Sequence, residues 1–327
     1  LKSAAITDGA FERVRYQLQR EWRNAPQSSL YGQASRTLGE ALLTPQWSTA
    51  ELLAASDRFD RHHLEDFRQR FLGDLYVDAM AVGNLDEALA REQAQLMRTQ
   101  LRPRLTRDEI PNLTPLAADE AHAVLHPHSS REESLVLRYL QARDQTLEEQ
   151  ATTSVIAQWL DTPFYQQLRT EQQLGYIVNA GYSPLLEAPG IALVVQSPDV
   201  DSDTIAARMD TFLDEAGQRL APLTDEALAP YRQAVHDQLR QRDTSLSGMA
   251  NRYWQATALE DVRFDRRDQL AELVLDVSLD DIKALWPSLQ EHMLDVRFNP
   301  SDEPSDVSHY REGLAPLPNV HEEQTAR

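Results

Sequence analysis

The chain has 327 residues, 41% of them hydrophobic, and its 52 acidic and 32 basic side chains give a net charge of −20. A chain this acidic lacks the concentrated positive surface that phosphate binding needs, so we expect no nucleic-acid partner. The absence of cysteine excludes disulfides, thiolate metal sites and a cysteine nucleophile, and no apolar run approaches the length of a membrane span.

Residues 7–101 are predicted to be mostly helical. Phe11, Val14 and Leu18 recur at helical spacing after an N-terminal cap at Thr7 or Asp8. The other predicted elements of this region are helices at 30–42, from 48, and at 64–72, a strand at 75–82, and a helix at about 86–101. The chain starts without a methionine, and we expect it to be part of a longer polypeptide.

Residues 102–118 are predicted to be a domain linker, because Pro103, Pro111 and Pro115 stand there among few apolar residues. Over 119–299 the pattern changes to mixed strands and helices, which predicts a second domain. Its predicted elements are strands at 121–126, 134–141, 176–178, 190–197 and 293–298, and helices at about 147–161, 201–220, 224–242, 247–259 and 279–290. The tail at 300–327 is polar and proline-rich, and we expect it to be loosely ordered.

The segment at 164–178 holds the candidate site residues Arg169 and Tyr176. Its pattern predicts a short helix that carries Arg169, after which Gly175 allows a tight turn into an apolar strand. Such a corner aims a guanidinium and a phenol at one spot, and both donors suit a peptide carbonyl or its oxyanion. The alternative is structural: Arg169 pairs with Glu171 or another local acid, and Tyr176 caps a core.

This segment, F-Y-x-Q-L-R-T-x-x-Q-L-G-Y, resembles the signature of the last domain of the pitrilysin/insulinase family of zinc metallopeptidases, and it is most similar to the bacterial pitrilysin branch. Weaker resemblance covers 22–85 and 262–268. The resemblance implies an α+β fold of antiparallel sheets, each covered on one face by helices. It also implies that 1–101 are the later part of a third, non-catalytic domain and that 119–299 are a fourth, non-catalytic domain that contacts substrate.

Enzymes of that family hold zinc on an inverted motif, H-x-x-E-H, in the first of four related domains. This chain contains no such motif. Its nearest string, His62-His63-Leu64-Glu65-Asp66, ends in aspartate and lies late in its domain. We therefore interpret His62 and Glu65 as polar side chains on the protein surface. The helix at 147–161, which takes the place of the zinc helix, has no histidine. We therefore expect no metal site in this chain, and zinc in the full-length enzyme.

Two further strings have a structural interpretation. His126 and His128, with His122 upstream, are a weak candidate metal site because Pro127 favours a turn and no third ligand is evident. The string F-D-R-R-D at 264–268 resembles a family string, and we interpret it as a helix start with local ion pairs.

The resemblance implies that Arg169 anchors the backbone or carboxylate of a peptide substrate and that Tyr176 donates to its polarised carbonyl. Both would face a zinc site on the N-terminal catalytic half of the same polypeptide. The chain is then the non-catalytic C-terminal half of a zinc metalloendopeptidase that degrades peptides in a chamber, and it is inactive alone. Two alternatives stay open: an inactive partner or scaffold subunit of the family, and a specialised precursor-processing peptidase. We expect a bacterial protein, periplasmic in preference to cytoplasmic.

Overall fold

The computed structural model describes residues 5–119, 122–259, 261, 263–300 and 303–318. Its helices are α1 (Asp8–Asn24), α2 (Leu30–Leu42), α3 (Thr49–Arg58), α4 (Arg61–Gly73), α5 (Glu87–Leu101), α6 (Leu147–Phe164), α7 (Ser202–Leu220), α8 (Asp225–Arg240), α9 (Leu246–Ala258), α10 (Arg266–Asp276), α11 (Leu279–Glu291) and α12 (Val307–Glu312). Its strands are β1 (Leu43–Thr44), β2 (Thr114–Pro115), β3 (Ala123–Leu125), β4 (Ser134–Gln141), β5 (Ile177–Tyr182), β6 (Gly190–Ser197) and β7 (Met293–Phe298). Within the described residues, no helix combines the length and the apolar character that crossing a bilayer requires.

The described chain divides into two compact units that interleave along the sequence. The first unit comprises 5–25, 49–112 and 242–259, and the second comprises 26–48, 113–241 and the described residues from 261 onward. Residues 26–48 therefore group with the region that follows the predicted linker. The assignment of 1–101 and 119–299 to a third and a fourth peptidase domain stays a prediction.

The first unit is helical, as the sequence predicts, and local capping explains where two of its helices begin. The Thr7 side chain accepts the N–H of Ala10 at 3.2 Å at the start of α1, and Asp86 caps α5 in the same way. The predicted strand at 75–82 is wrong, because no strand among the described residues pairs with it. The carbonyl of Leu75 instead accepts two N–H groups from the chain that follows α5.

The second unit is built on a five-stranded sheet in the order β3-β7-β4-β6-β5, in which only β3 and β7 run parallel. The α+β class is confirmed. Val136 and Leu140 of β4 face the main core with α6, α7, α8, α10 and α11, while Leu135 and Leu137 face α2. The expectation of helices on one face alone is incomplete, because α2 and α12 cover the second face.

The predicted loose order of the tail is wrong for 303–318. Leu317 is 2% exposed, and its N–H donates to the carbonyl of Pro115 at 2.9 Å. The side chain of Gln141, at the end of β4, bonds the Leu116 carbonyl at 2.9 Å and the Ala118 N–H at 2.7 Å. Non-local hydrogen bonds and one buried leucine therefore hold this polar segment against the sheet.

Two charged side chains are completely buried on the face of the sheet that α7 covers. Arg138 of β4 and Asp295 of β7 are both 0% exposed and form a bidentate pair at 2.8 and 2.9 Å. Arg138 also pairs with Asp210 of α7, and His122 Nε2 lies 3.0 Å from Asp295. Burial opposes the charged form of Asp295, but hydrogen bonds from His122 and Arg138 outweigh it and hold the pKa of Asp295 well below its usual range.

Gly175 is required before β5 because the chain passes there against the backbone of β6. A Cβ at this position would lie 2.1 Å from the carbonyl oxygen of Gln196, far inside van der Waals contact. The N–H of Tyr176 donates to that same oxygen at 3.0 Å. The predicted turn at Gly175 is confirmed, and the reason for glycine is close approach of two backbones.

We predict that Asp295→Asn destabilises the protein by about 3–5 kcal/mol, because it leaves the buried Arg138 guanidinium without a full counter-charge. Since the folded pKa of Asp295 is depressed, its contribution to stability is complete above about pH 4 and is lost as the pH falls below that value. Urea unfolding between pH 3 and pH 7 should therefore show a flatter acid limb for the variant. Asp214→Asn, which alters an exposed acid of α7 outside this ion-pair network, serves as the control and should shift neither quantity by much. An equal effect of both variants would contradict the assignment.

We also predict that Gly175→Ala costs about 3 kcal/mol or more, because the added methyl group cannot be accommodated without moving β5 away from β6. The matched control is Gly181→Ala in β5, where an added Cβ meets nothing within 4 Å. That variant should stay within about 1 kcal/mol of the parent. Melting temperatures and urea midpoints measure both effects, and similar values for the two variants would show that the close approach is unimportant.

Candidate functional site

The candidate site is the corner between α6 and β5. After α6 the chain forms a π-helical turn, Tyr165–Glu171, closed by a bond from the Gln172 N–H to the Gln167 carbonyl at 3.0 Å. Such turns are rare and frequent at functional sites. Leu168 is fully buried, and its carbonyl accepts the N–H of Leu174 at 2.9 Å. The predicted helix and turn are confirmed, and apolar anchors hold both.

Arg169 lies on this turn and is half-buried. Its guanidinium forms no hydrogen bond or ion pair with any residue that the structure describes. Glu171 instead accepts a long bond from Gln166 at 3.4 Å, so the structural alternative of an Arg169–Glu171 pair is not observed. The donors of Arg169 are therefore available to a carbonyl or carboxylate from outside this part of the chain.

Tyr176 is 50% exposed and belongs to a three-residue hydrogen-bond cluster. Its hydroxyl donates to Glu133 Oε2 at 2.6 Å, and Gln196 Nε2 donates to Glu133 Oε2 at 2.5 Å and to the Tyr176 oxygen at 2.6 Å. The phenol thus does not cap a core. Its direction is set by polar partners on β6 and just before β4.

The cluster has a defined protonation state at neutral pH. The hydrogen bond to Glu133 raises the pKa of the Tyr176 hydroxyl, so the phenol keeps its proton. Hydrogen bonds from Tyr176 and Gln196 lower the pKa of Glu133, so the carboxylate is ionised. The corner therefore presents cationic donors at Arg169 and an anionic acceptor at Glu133.

Glu133 and Gln196 were not identified from the sequence. Gln196 stands opposite Ile177 in the β5–β6 register, and Glu133 directly precedes β4, which pairs with the other edge of β6. Strand register brings these two residues to Tyr176, and register depends on contacts that are remote in sequence. The usable signal is their position at the ends of two strongly apolar strands.

The histidines have structural partners. His63 forms a capping box with Asp60 at the start of α4, and His122 pairs with Asp295. At His126 it is the backbone N–H, and not the ring, that donates to the Ser305 hydroxyl at 3.0 Å. No group of three or more metal-ligating side chains is assembled within the described ranges. The donor set of α6, which lacks histidine, does not fit a zinc ion. The zinc expected in the full-length enzyme stays a prediction.

Comparison with known proteins gives a consistent assignment. Residues 155–254 match the family model described as PQQ synthase PqqF-like, C-terminal lobe domain 4. The insulin-degrading enzyme of Drosophila melanogaster is 22% identical over 282 residues, which are 84% of this chain and 28% of that protein. Coenzyme PQQ synthesis protein F of Pseudomonas aeruginosa is 31% identical over 159 residues, which are 49% of this chain and 20% of that protein.

The fold has a solved counterpart in pitrilysin, whose crystal structure superposes with a TM-score of 0.83 at 19% identity. The match covers 96% of this chain and 35% of pitrilysin. The chain spans about a quarter of the length of the curated relatives that it matches. Sequence matches and fold agree with the resemblance at 164–178, and together they support the assignment of this chain to the C-terminal lobe of a peptidase of the pitrilysin/insulinase family.

Proposed function

We propose that this chain is the substrate-binding lobe of a zinc metalloendopeptidase, and that Arg169 and Tyr176 hold a peptide opposite a zinc site in the N-terminal half of the same polypeptide. By itself the chain cleaves no peptide. The observation that carries the proposal is the corner between α6 and β5. It holds, on one short segment, an exposed phenol and a guanidinium that has no partner among the described residues.

Each group has a distinct task in this proposal. Arg169 donates hydrogen bonds to a backbone carbonyl or a carboxylate of the peptide, and its charge positions the peptide. The Tyr176 hydroxyl donates to Glu133 in the unbound corner, so a substrate carbonyl must replace Glu133 as the acceptor. Gln196 still donates to Glu133 after that exchange, which keeps the carboxylate satisfied. Zinc, when bound elsewhere in the polypeptide, would polarise the scissile carbonyl and activate water.

A second candidate function is a specialised peptidase that trims a precursor peptide during cofactor synthesis. It is favoured by the match of 155–254 to a PqqF-like model and by the 31% identity to a protein named for coenzyme PQQ synthesis. The two candidates differ in cleavage pattern. A general degrading enzyme cuts many unrelated peptides at several bonds, whereas a processing enzyme cuts one precursor at a defined bond.

The kinetic prediction applies to the whole polypeptide that contains this lobe. Tyr176→Phe should lower kcat by roughly 10–1,000-fold, about 1.4–4 kcal/mol, because it removes one donor to the developing oxyanion. Arg169→Ala should reduce kcat/KM further, because it removes both charge and positioning. Steady-state kinetics on a quenched fluorescent peptide measure both effects beside melting curves.

The outcomes of that experiment are distinct. A Tyr176→Phe enzyme with parental kcat contradicts the proposed role of the phenol. A fall in melting temperature that parallels the loss of activity favours a structural role for the pair. Absence of cleavage by the parental whole polypeptide favours the alternative of an inactive partner subunit.

The Glu133 carboxylate should control the protonation of Tyr176. We predict that Glu133→Gln lowers the pKa of the Tyr176 hydroxyl towards its ordinary value near 10, because the charged acceptor that raises it is gone. NMR of ¹³Cζ-labelled tyrosine measures this pKa, and Tyr176→Phe assigns the signal. Glu132→Gln, at an exposed neighbouring acid, is the control and should leave the titration unchanged. An unshifted pKa in Glu133→Gln would contradict the cluster geometry.

A further inference from the structure

The carboxylate of Glu133, directly before β4, uses its two oxygens unequally. Oε2 accepts the Tyr176 hydroxyl at 2.6 Å and the Gln196 Nε2 group at 2.5 Å. Oε1 accepts no hydrogen bond from any described residue, and it is accessible to solvent. Because each oxygen of an ionised carboxylate can accept hydrogen bonds, Oε1 is an open acceptor beside the Tyr176 hydroxyl.

The charge of Glu133 has no cation in contact with it. Glu133 forms no ion pair with any residue that the structure describes. Arg131 is two residues away, but its guanidinium donates to the carbonyls of Gln27 and Ser28 at 2.9 and 3.3 Å. Hydrogen bonds from Tyr176 and Gln196 lower the pKa of Glu133 most, and the charge of Arg131 adds a smaller effect. The carboxylate is therefore ionised and leaves its open oxygen to a group from outside.

Substrate binding at the corner would leave this carboxylate with one donor fewer. In the proposed function the Tyr176 hydroxyl leaves Glu133 and donates to a peptide carbonyl. Since the hydroxyl oxygen lies 2.6 Å from Glu133 Oε2, the peptide carbonyl oxygen arrives close to the carboxylate. Two electron-rich groups then lie side by side, which is unfavourable unless a positive group accompanies the carbonyl.

The chemistry of the open oxygen favours an organic cation. An ammonium or guanidinium group donates charge-assisted hydrogen bonds to a carboxylate, and these are stronger than a bond from a neutral amide. A metal ion needs several ligands, and the described ranges assemble no group of three metal-ligating side chains. The net charge of −20 also favours the approach of basic peptides over acidic ones.

We propose that Glu133 is a specificity-determining residue, whose open oxygen binds a cationic group of the peptide beside the carbonyl that Tyr176 holds. The cation is a lysine or arginine side chain or the amino terminus. Arg169 and Glu133 then recognise opposite charges at one corner. This inference rests on the proposed function and adds to it a preference for basic peptides. Because Glu133 is partly exposed, that preference is about threefold to tenfold.

The test uses the whole polypeptide that contains this lobe and quenched fluorescent peptides of one common sequence. Each position near the cleaved bond carries lysine, norleucine or glutamate in turn. Norleucine has the carbon chain of lysine without its charge, so the ratio of kcat/KM for these two peptides measures the effect of charge. Free and acetylated amino termini distinguish a terminal ammonium from a side chain. Fluorescein-labelled versions give the same ratio from Kd by anisotropy, which requires no cleavage.

The parental enzyme should favour the cationic peptide about threefold to tenfold, with glutamate disfavoured at the same position. Glu133→Gln, which keeps an acceptor for Tyr176, should bring the ratio to about one. Glu133→Lys should reverse it, so that the glutamate peptide is favoured. Glu132→Gln removes the same charge from an exposed neighbouring acid and should keep the parental ratio. Since each ratio compares two peptides on one enzyme, a loss of folded protein does not change it.

The outcomes separate this inference from the proposed function. Activity that falls in Arg169→Ala, with no charge preference in the parent at any position, keeps the proposed function and overturns the role of Glu133. A charge preference that Glu133→Gln alone removes, with parental activity in Arg169→Ala, supports the role of Glu133 and removes that of Arg169. Equal loss of the preference in Glu132→Gln and Glu133→Gln shows an effect of net charge and overturns the inference. Absence of binding at millimolar peptide overturns both proposals.

Discussion

The approach of Gly175 to the carbonyl of Gln196 determines where the candidate site can lie. A Cβ would collide with that carbonyl, so the chain can approach β6 this closely only with glycine at position 175. Tyr176 follows at once and bonds the same oxygen through its N–H, so the direction of its side chain is fixed by the backbone. Leu168 and Leu174 hold the preceding turn from the core side. The backbone of the corner is therefore held without the tips of Arg169 or Tyr176. The Arg169 guanidinium is available for a ligand, whereas the Tyr176 hydroxyl must exchange Glu133 for a new acceptor.

A second constraint is the charge buried under the sheet. Arg138 and Asp295 are costly to bury, and the pair is tolerable because its hydrogen bonds are bidentate and are completed by His122 and Asp210. The pair links β4, the central strand, to its neighbour β7 and so helps to fix their register. Since β4 also pairs with β6, that register brings Glu133, directly before β4, within reach of Gln196. The electrostatics of the core and of the site are thus joined through strand pairing.

Much of the fold follows from local sequence, and the failures have a common cause. The helix starts at Thr146, Asp201 and Ser278 depend on a side chain and an N–H three residues away, so they can be predicted from a short window. The segment predicted as a strand at 75–82 is apolar, but it has no partner strand among the described residues, and a short sequence window does not reveal that. The tail follows the same rule, because its order depends on the burial of Leu317 against a distant segment.

The candidate site also has one part that the local sequence predicts and one part that depends on the tertiary structure. Arg169, Gly175 and Tyr176 are close in sequence, and their spacing already predicts one corner. Glu133 and Gln196 reach Tyr176 only through the register of three strands. That Arg169 has no partner among the described residues can likewise be seen only in the folded chain. Local pattern therefore predicts where a site lies, whereas the protonation of its groups requires the tertiary structure.

Helix α6 connects the missing metal chemistry with the proposed binding. In the place that the family resemblance gives to a zinc helix, it carries no histidine and buries Val155, Trp159 and Leu160 in the main core. It runs directly into the turn that carries Arg169. The helix therefore supports the corner, and in the proposed function this lobe supplies substrate contacts while the metal chemistry belongs to the N-terminal half.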